Sequence, residues 1–171
     1  MLRKSMKLPI DKELFLSIIS GSEAGIATTA AIIVGLTVGE LERDVILISA
    51  TVSVLIQAFN SAITTIVTSH TLDEIERNRD MDSLFRPFTQ AGLQFLTHIS
   101  AGIVVLLPMV YVARVEMAML MSVAISLLLM FWIGFFVGRI VRHEPLRNSV
   151  QSFVLGMLII IGGFIAGYII N

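Results

Sequence analysis

The chain has 171 residues, 56% of them hydrophobic and only 15% charged, with a formal net charge of −1 at pH 7. Ordinary soluble domains carry about 25% charged residues, so this balance argues against a soluble globular domain and for an integral membrane protein. A near-neutral chain without a basic arm offers no electrostatic footprint for nucleic acid. With no cysteine, disulfides, thiolate metal sites and Cys nucleophiles are excluded.

A membrane-crossing helix needs about 20 mostly apolar residues, and the segments 14–38, 45–69, 88–112, 117–138 and 149–170 meet that requirement. The N-terminal run MLRKSMKLPIDKE is positive but is not followed by a small-residue cleavage pattern, so the first apolar segment is expected to be a retained helix rather than a signal peptide. Within it stands Glu23, the one acidic or basic side chain inside any of the five segments. A carboxylate near mid-membrane is costly and is a functional-site hypothesis by default. The bland alternative is a protonated carboxyl hydrogen-bonded to a neighbouring helix. Gly21 and Gly25 bracket Glu23, and Gly35 and Gly39 repeat the spacing, which permits close approach of another helix or of a second subunit.

The break at 39–44 (GELERD) leads to the second segment, which carries Ser49, Ser53, Gln57, Asn60, Thr64 and Thr68. Steps of three and four keep these on one helical face, which Ser61 and Thr65 widen. Such a face turns toward protein or water. Hydroxyls there serve as interhelical contacts or line a cavity, and the amides Gln57 and Asn60 favour the cavity. The connection 70–87 is acidic, and His70, Asp73, Glu74, Glu76 and Asp80 fall on or near adjacent turns of a continued helix. Carboxylate and imidazole ligands suit hard and borderline cations, while a solvated, ion-paired helix face has the same composition.

The third segment contains His98, either a neutral hydrogen-bonded packing residue or a ligand or proton relay. The fourth has Phe131, Trp132, Phe135 and Phe136 toward one end and the pair Gly134–Gly138. The fifth has the pair Gly163–Gly167. Tyr111 and Tyr168 lie toward the opposite ends of the third and fifth segments, as interface aromatics do. Beyond Gln151 at the start of the fifth, neither of the last two segments has anything more polar than Ser126 and Ser152 in its interior.

Ten of the twelve Lys and Arg residues fall in the N-terminal run, the second connection and the fourth, leaving Arg43 and Arg114 on the other side. The positive-inside rule then predicts an N-inside, C-outside chain. The expected fold is an all-α integral membrane protein, a single five-helix domain over 1–171, in the cytoplasmic membrane of a prokaryotic cell. Counted from the inner end at about 1.5 Å per residue, Glu23, Asn60 and His98 each lie about 14 Å deep, near the midplane. The first three helices are thus expected to line a polar centre, with the fourth and fifth lipid-facing or supporting. The chain contains no P-loop, HExxH, Ser-His-Asp set or dinucleotide fingerprint, so neither an enzyme nor a resident cofactor is expected.

Along its whole length the chain resembles the vacuolar iron transporter family of five-helix cation transporters. GSEAGIATTAAIIVGLTVGE is similar to the family's first helix, LLPMVYV to the end of its third, and PLRNSVQSFVLGMLIIIGGFIAGYII to its basic start and paired glycines in the fifth. The resemblance implies a homodimer with a metal path between the first and second helices of two subunits, exporting Fe²⁺ or Mn²⁺ from the cytoplasm against protons. The family's helix-one Asp falls on Ala24, with the carboxylate one position earlier at Glu23. Its Ser-Met-Ala signature falls on 60–62 or 61–63, in a segment without methionine. Its cytoplasmic metal-binding domain has only Asp73, Glu74, Glu76 and Met81 as counterparts. The leading expectation is a dimeric divalent-cation transporter with Glu23 as ligand and proton-coupling group. Gln57, Asn60 and Ser61 would be oxygen ligands, and Thr64 and His98 would lie along the path. A passive cation channel and a non-transporting membrane scaffold are the alternatives.

Overall fold

A computed structural model describes residues 12–76, 82–141 and 144–171, the side chains of 72–76 and 82–84 excepted. These residues form five helices: α1 (Lys12–Val38), α2 (Arg43–Glu76), α3 (Asp82–Tyr111), α4 (Val115–Ile140) and α5 (Pro145–Ile170). Each is long and apolar enough to cross a membrane. Of the cations that set the expected orientation, Arg3, Lys4, Lys7, Arg77, Arg79 and Arg142 lie outside the described residues. "Inner" below means the end that the Lys and Arg distribution assigns to the cytoplasm.

The helices overrun their apolar segments at both sides of the second connection. α2 continues through the acidic run to Glu76, and α3 starts at Asp82, before the expected 88, with the buried Pro87 inside it. Proline there removes one helix bond, to the Ser83 carbonyl, near the start of the helix.

α1 is the central helix and touches all four others, while α2 packs along α3 and against α1. The core follows α1 through Ile26, Ala30, Ile33 and Val34, joined by Ala50 and Val54 of α2, Val105 and Met109 of α3, and Met130 of α4. Between apolar surfaces in lipid there is no hydrophobic drive, so close van der Waals approach through small residues has to hold the helices together. The glycine pairs do this within one chain. Gly21 and Gly25 rest on the α3 backbone at Gln94 and His98, Gly163 and Gly167 on the α1 backbone at Ala31 and Gly35, and Gly134 and Gly138 on α5 at Pro145, Asn148 and Ser149.

The outer ends are fixed by backbone satisfaction. α1 closes with the Leu41 N–H donating to the Leu36 carbonyl (3.2 Å) and the Glu40 N–H to that of Thr37 (3.1 Å). This is a Schellman closure that puts Glu40, at φ 55°, in the left-handed position usually given to glycine. Arg43, which begins α2, donates to the carbonyls of Val110 (2.9 Å), Met109 and Ala113. A cation thereby meets the unpaired carbonyls and negative dipole end of α3.

Candidate functional site

Glu23 faces α5. Its Oε1 accepts a 2.8 Å hydrogen bond from the Ser152 hydroxyl, so the fifth helix, expected to be supporting, reaches the one carboxylate of the membrane interior. The local sequence dictates this orientation. Gly25 carries no side chain and sits on the His98 backbone. Glu23, two residues earlier, is turned about 200° around α1. The face that meets α3 therefore points away from the carboxylate. Glu23 instead continues a row of i, i+4 positions through Ala27, Ala31 and Gly35, the last two meeting Gly163 and Gly167 of α5. Toward the inner end the same face of α1 is uncovered: Leu16 is 62% exposed and Ser20 is exposed. Glu23 is half-buried where α5 leaves α1 to pack on α4.

His98 lies on the other side of α1. It is 1% exposed, and neither ring nitrogen has a hydrogen-bond partner among the described residues. Glu23 and His98 share a depth but are separated by the body of α1. One and two turns inward on the same face of α3 lie Gln94 and Gln90. Gln94 Oε1 contacts the Thr65 hydroxyl of α2. Gln90 accepts from Ser69 of α2 (3.0 Å) and donates to Glu13 of α1 (2.5 Å), whose carboxylate also meets Arg86 at 3.3 Å. Glu13, Gln90, Gln94 and Ser152 were not singled out as site residues from sequence. For the glutamines a signal existed, since residues 90, 94 and 98 form a row spaced by four like that of the second segment.

The α2 row divides by face. Ser49, Ser53, Gln57 and Ser61 are half-buried, Thr65 turns to α3, and Asn60, Thr64 and Thr68 are exposed. Exposed Ile56, Phe59, Ile63 and Val67 flank them. The expected polar centre is thus three separate places: Glu23 with Ser152, the α1–α3 seam at His98, and an outward face of α2. Asp73, Glu74 and Glu76 are in the last turns of α2, and their side chains lie outside the described residues. Among the described residues, no three His, Asp or Glu side chains gather where one ion could be held.

A model of the VIT family matches residues 51–168, from the third turn of α2 nearly to the end of α5. The chain belongs to the VIT family. It is also similar to two curated rice (Oryza sativa subsp. japonica) proteins. It is 32% identical to vacuolar iron transporter 1 over 63 residues, 37% of this chain and 25% of that protein. To vacuolar iron transporter 2 it is 32% identical over 73 residues, 43% of this chain and 30% of that protein. The matched part thus spans between a quarter and a third of those relatives' length. Membership in the VIT family agrees with the resemblance seen in the sequence and with five membrane-length helices.

Proposed function

We propose that the protein is a divalent metal cation transporter that works as a homodimer, carries the cation between α1 and α2 of two copies, and exports it from the cytoplasm in exchange for protons. The observation that carries this reading is the lone mid-membrane carboxylate, Glu23, in a chain whose α2 leaves Asn60, Thr64 and Thr68 uncovered by its own bundle. Polar groups facing hydrocarbon cost several kcal/mol each, of the order of 2–7, and a second copy enclosing a watery path relieves that cost. Family membership and the names of the rice relatives supply the class of cargo.

In this reading Glu23 is the central ligand, and Gln57, Asn60, Ser61 and Thr64 supply oxygens along the path. Asp73, Glu74 and Glu76 gather cations at the inner mouth. His98, behind α1, stands apart from the ligand group. The relatives' names make Fe²⁺ the first cargo to test. An oxygen set without a thioether on α2 suits Mn²⁺, Mg²⁺ and Ca²⁺ at least as well. Proton exchange follows from the chemistry of Glu23, because a carboxyl must lose its proton to bind a cation.

The test is uptake of Fe²⁺, Mn²⁺, Mg²⁺ and Ca²⁺ in turn into proteoliposomes holding a pH-sensitive dye, with wild type beside Glu23→Gln. Uptake with opposing proton movement, lost in Glu23→Gln, is the expected result. Flux that persists without proton movement makes the protein a passive channel. Impermeable liposomes containing folded dimer make it a scaffold.

A further inference from the structure

We infer that Ser152 is a positioning residue for Glu23, orienting the carboxylate so that one oxygen is held by α5 and the other is presented to the cation. This rests on the reading of Glu23 as the cation ligand. The first ground is what Ser152 does not do. Serines inside membrane helices ordinarily return their proton to a carbonyl one turn back. Ser17, Ser22, Ser126 and Ser149 all do so, to Glu13, Ile18, Ser122 and Pro145. Ser69 and Ser122 cross to α3, at Gln90 and the Val105 carbonyl, and the Ser152 hydroxyl crosses to α1, where it donates to a carboxylate oxygen, Glu23 Oε1.

The second ground is how the hydroxyl is seated. Gly134 of α4 lies directly behind it, and a β-carbon built there would stand 2.9 Å from Ser152 Oγ and 2.6 Å from the Asn148 carbonyl oxygen. A side chain on α4 at this level would displace the hydroxyl and the turn of α5 beneath it. The close α4–α5 contact therefore fixes Ser152, and Ser152 fixes the carboxylate plane.

The third ground is electrostatic. A hydroxyl orients a carboxylate without neutralising it, whereas a lysine or arginine in its place would compete with the cation. Glu23 Oε1 is engaged, and Oε2 meets no other hydrogen-bonding group among the described residues. Partners that hydrogen-bond a metal-binding side chain in this way typically change metal affinity or activity by about 10–100-fold when removed.

The experiment is initial-rate Mn²⁺ uptake into proteoliposomes by wild type, Ser152→Ala, Ser152→Thr and Glu23→Gln. Ser152→Ala is expected to raise the KM for Mn²⁺ about tenfold with its maximal rate within about twofold of wild type, and Ser152→Thr, which keeps the hydroxyl, to return KM close to wild type. A KM unchanged in Ser152→Ala overturns the inference, as does a loss of maximal rate at constant KM in both serine variants, the signature of a packing defect. Glu23→Gln separates the two ideas. If it transports like wild type, the ligand reading of Glu23 has failed. If it is inactive while Ser152→Ala matches wild type, only the role of Ser152 has failed.

Discussion

The two faces of α1 use the same device and end with opposite chemistry. On the α3 side, Gly21 and Gly25 bracket the level of Glu23, so the seam is closed there and the buried group at that depth, His98, has no hydrogen-bond partner among the described residues. On the α5 side the small residues are Ala31 and Gly35, about 12 and 18 Å further out along the helix. That seam is tight beyond Glu23 and opens at it, leaving the carboxylate half-buried and bonded to Ser152. Where the small residues stand relative to a polar side chain, rather than how many there are, decides whether it is sealed or presented.

The largest effect that breaks this comparison comes from filling either seam. A β-carbon at Gly25 would collide with the His98 carbonyl, and one at Gly163 with the Ala31 carbonyl. Both obstacles are backbone, which yields only if the helices separate. Gly25→Ala and Gly163→Ala are each expected to destabilise the fold by about 3 kcal/mol, the upper part of the range for overpacked sites. Thermal unfolding in detergent, followed by tryptophan fluorescence, reads the loss. Wild-type stability in Gly25→Ala would mean that α1 and α3 do not approach this closely.

These seams also mark the limit of what was legible in the sequence. The five crossings were legible because continuous apolar length is a property of each helix alone. Depth was legible too, since counting residues along a fixed rise put Glu23 and His98 at one level. Rotation was not, because which face of α1 meets α3 depends on where four neighbours settle, and GxxxG spacing names no partner. Glu23 and His98 therefore looked like members of one centre, and the structure puts α1 between them. Ser152 is one of the few polar side chains of its segment, but a serine usually bonds within its own helix, so nothing in the sequence marks it as reaching across to Glu23.

The next effect is smaller and of opposite sign. A buried imidazole with two unpartnered nitrogens carries a desolvation cost of about 1–3 kcal/mol per unsatisfied group. His98→Leu, close in volume and without polar atoms, is expected to raise the unfolding midpoint by several degrees. Its Mn²⁺ transport should stay near wild type, because His98 lies outside the proposed ligand group around Glu23. A gain in stability with a loss of transport would move His98 into the transport machinery and make the α3 face as functional as the α5 face. A drop in stability would show that the imidazole is hydrogen-bonded in the membrane.

The finest test lies between neighbours in sequence. Gly162 and Gly163 are adjacent on α5, turned about 100° apart. A β-carbon at Gly162 meets nothing within 4 Å, whereas at Gly163 it meets the α1 backbone. If the α1–α5 seam is one residue wide, Gly162→Ala only places a methyl against lipid and lowers the conformational entropy of a flexible helix position. The expected outcome is a gain of up to about 1 kcal/mol, beside the loss in Gly163→Ala. Equal losses at both positions would require a second surface against Gly162. No described residue of the chain supplies that surface, so a second copy against α5 would move the proposed dimer path there from between α1 and α2.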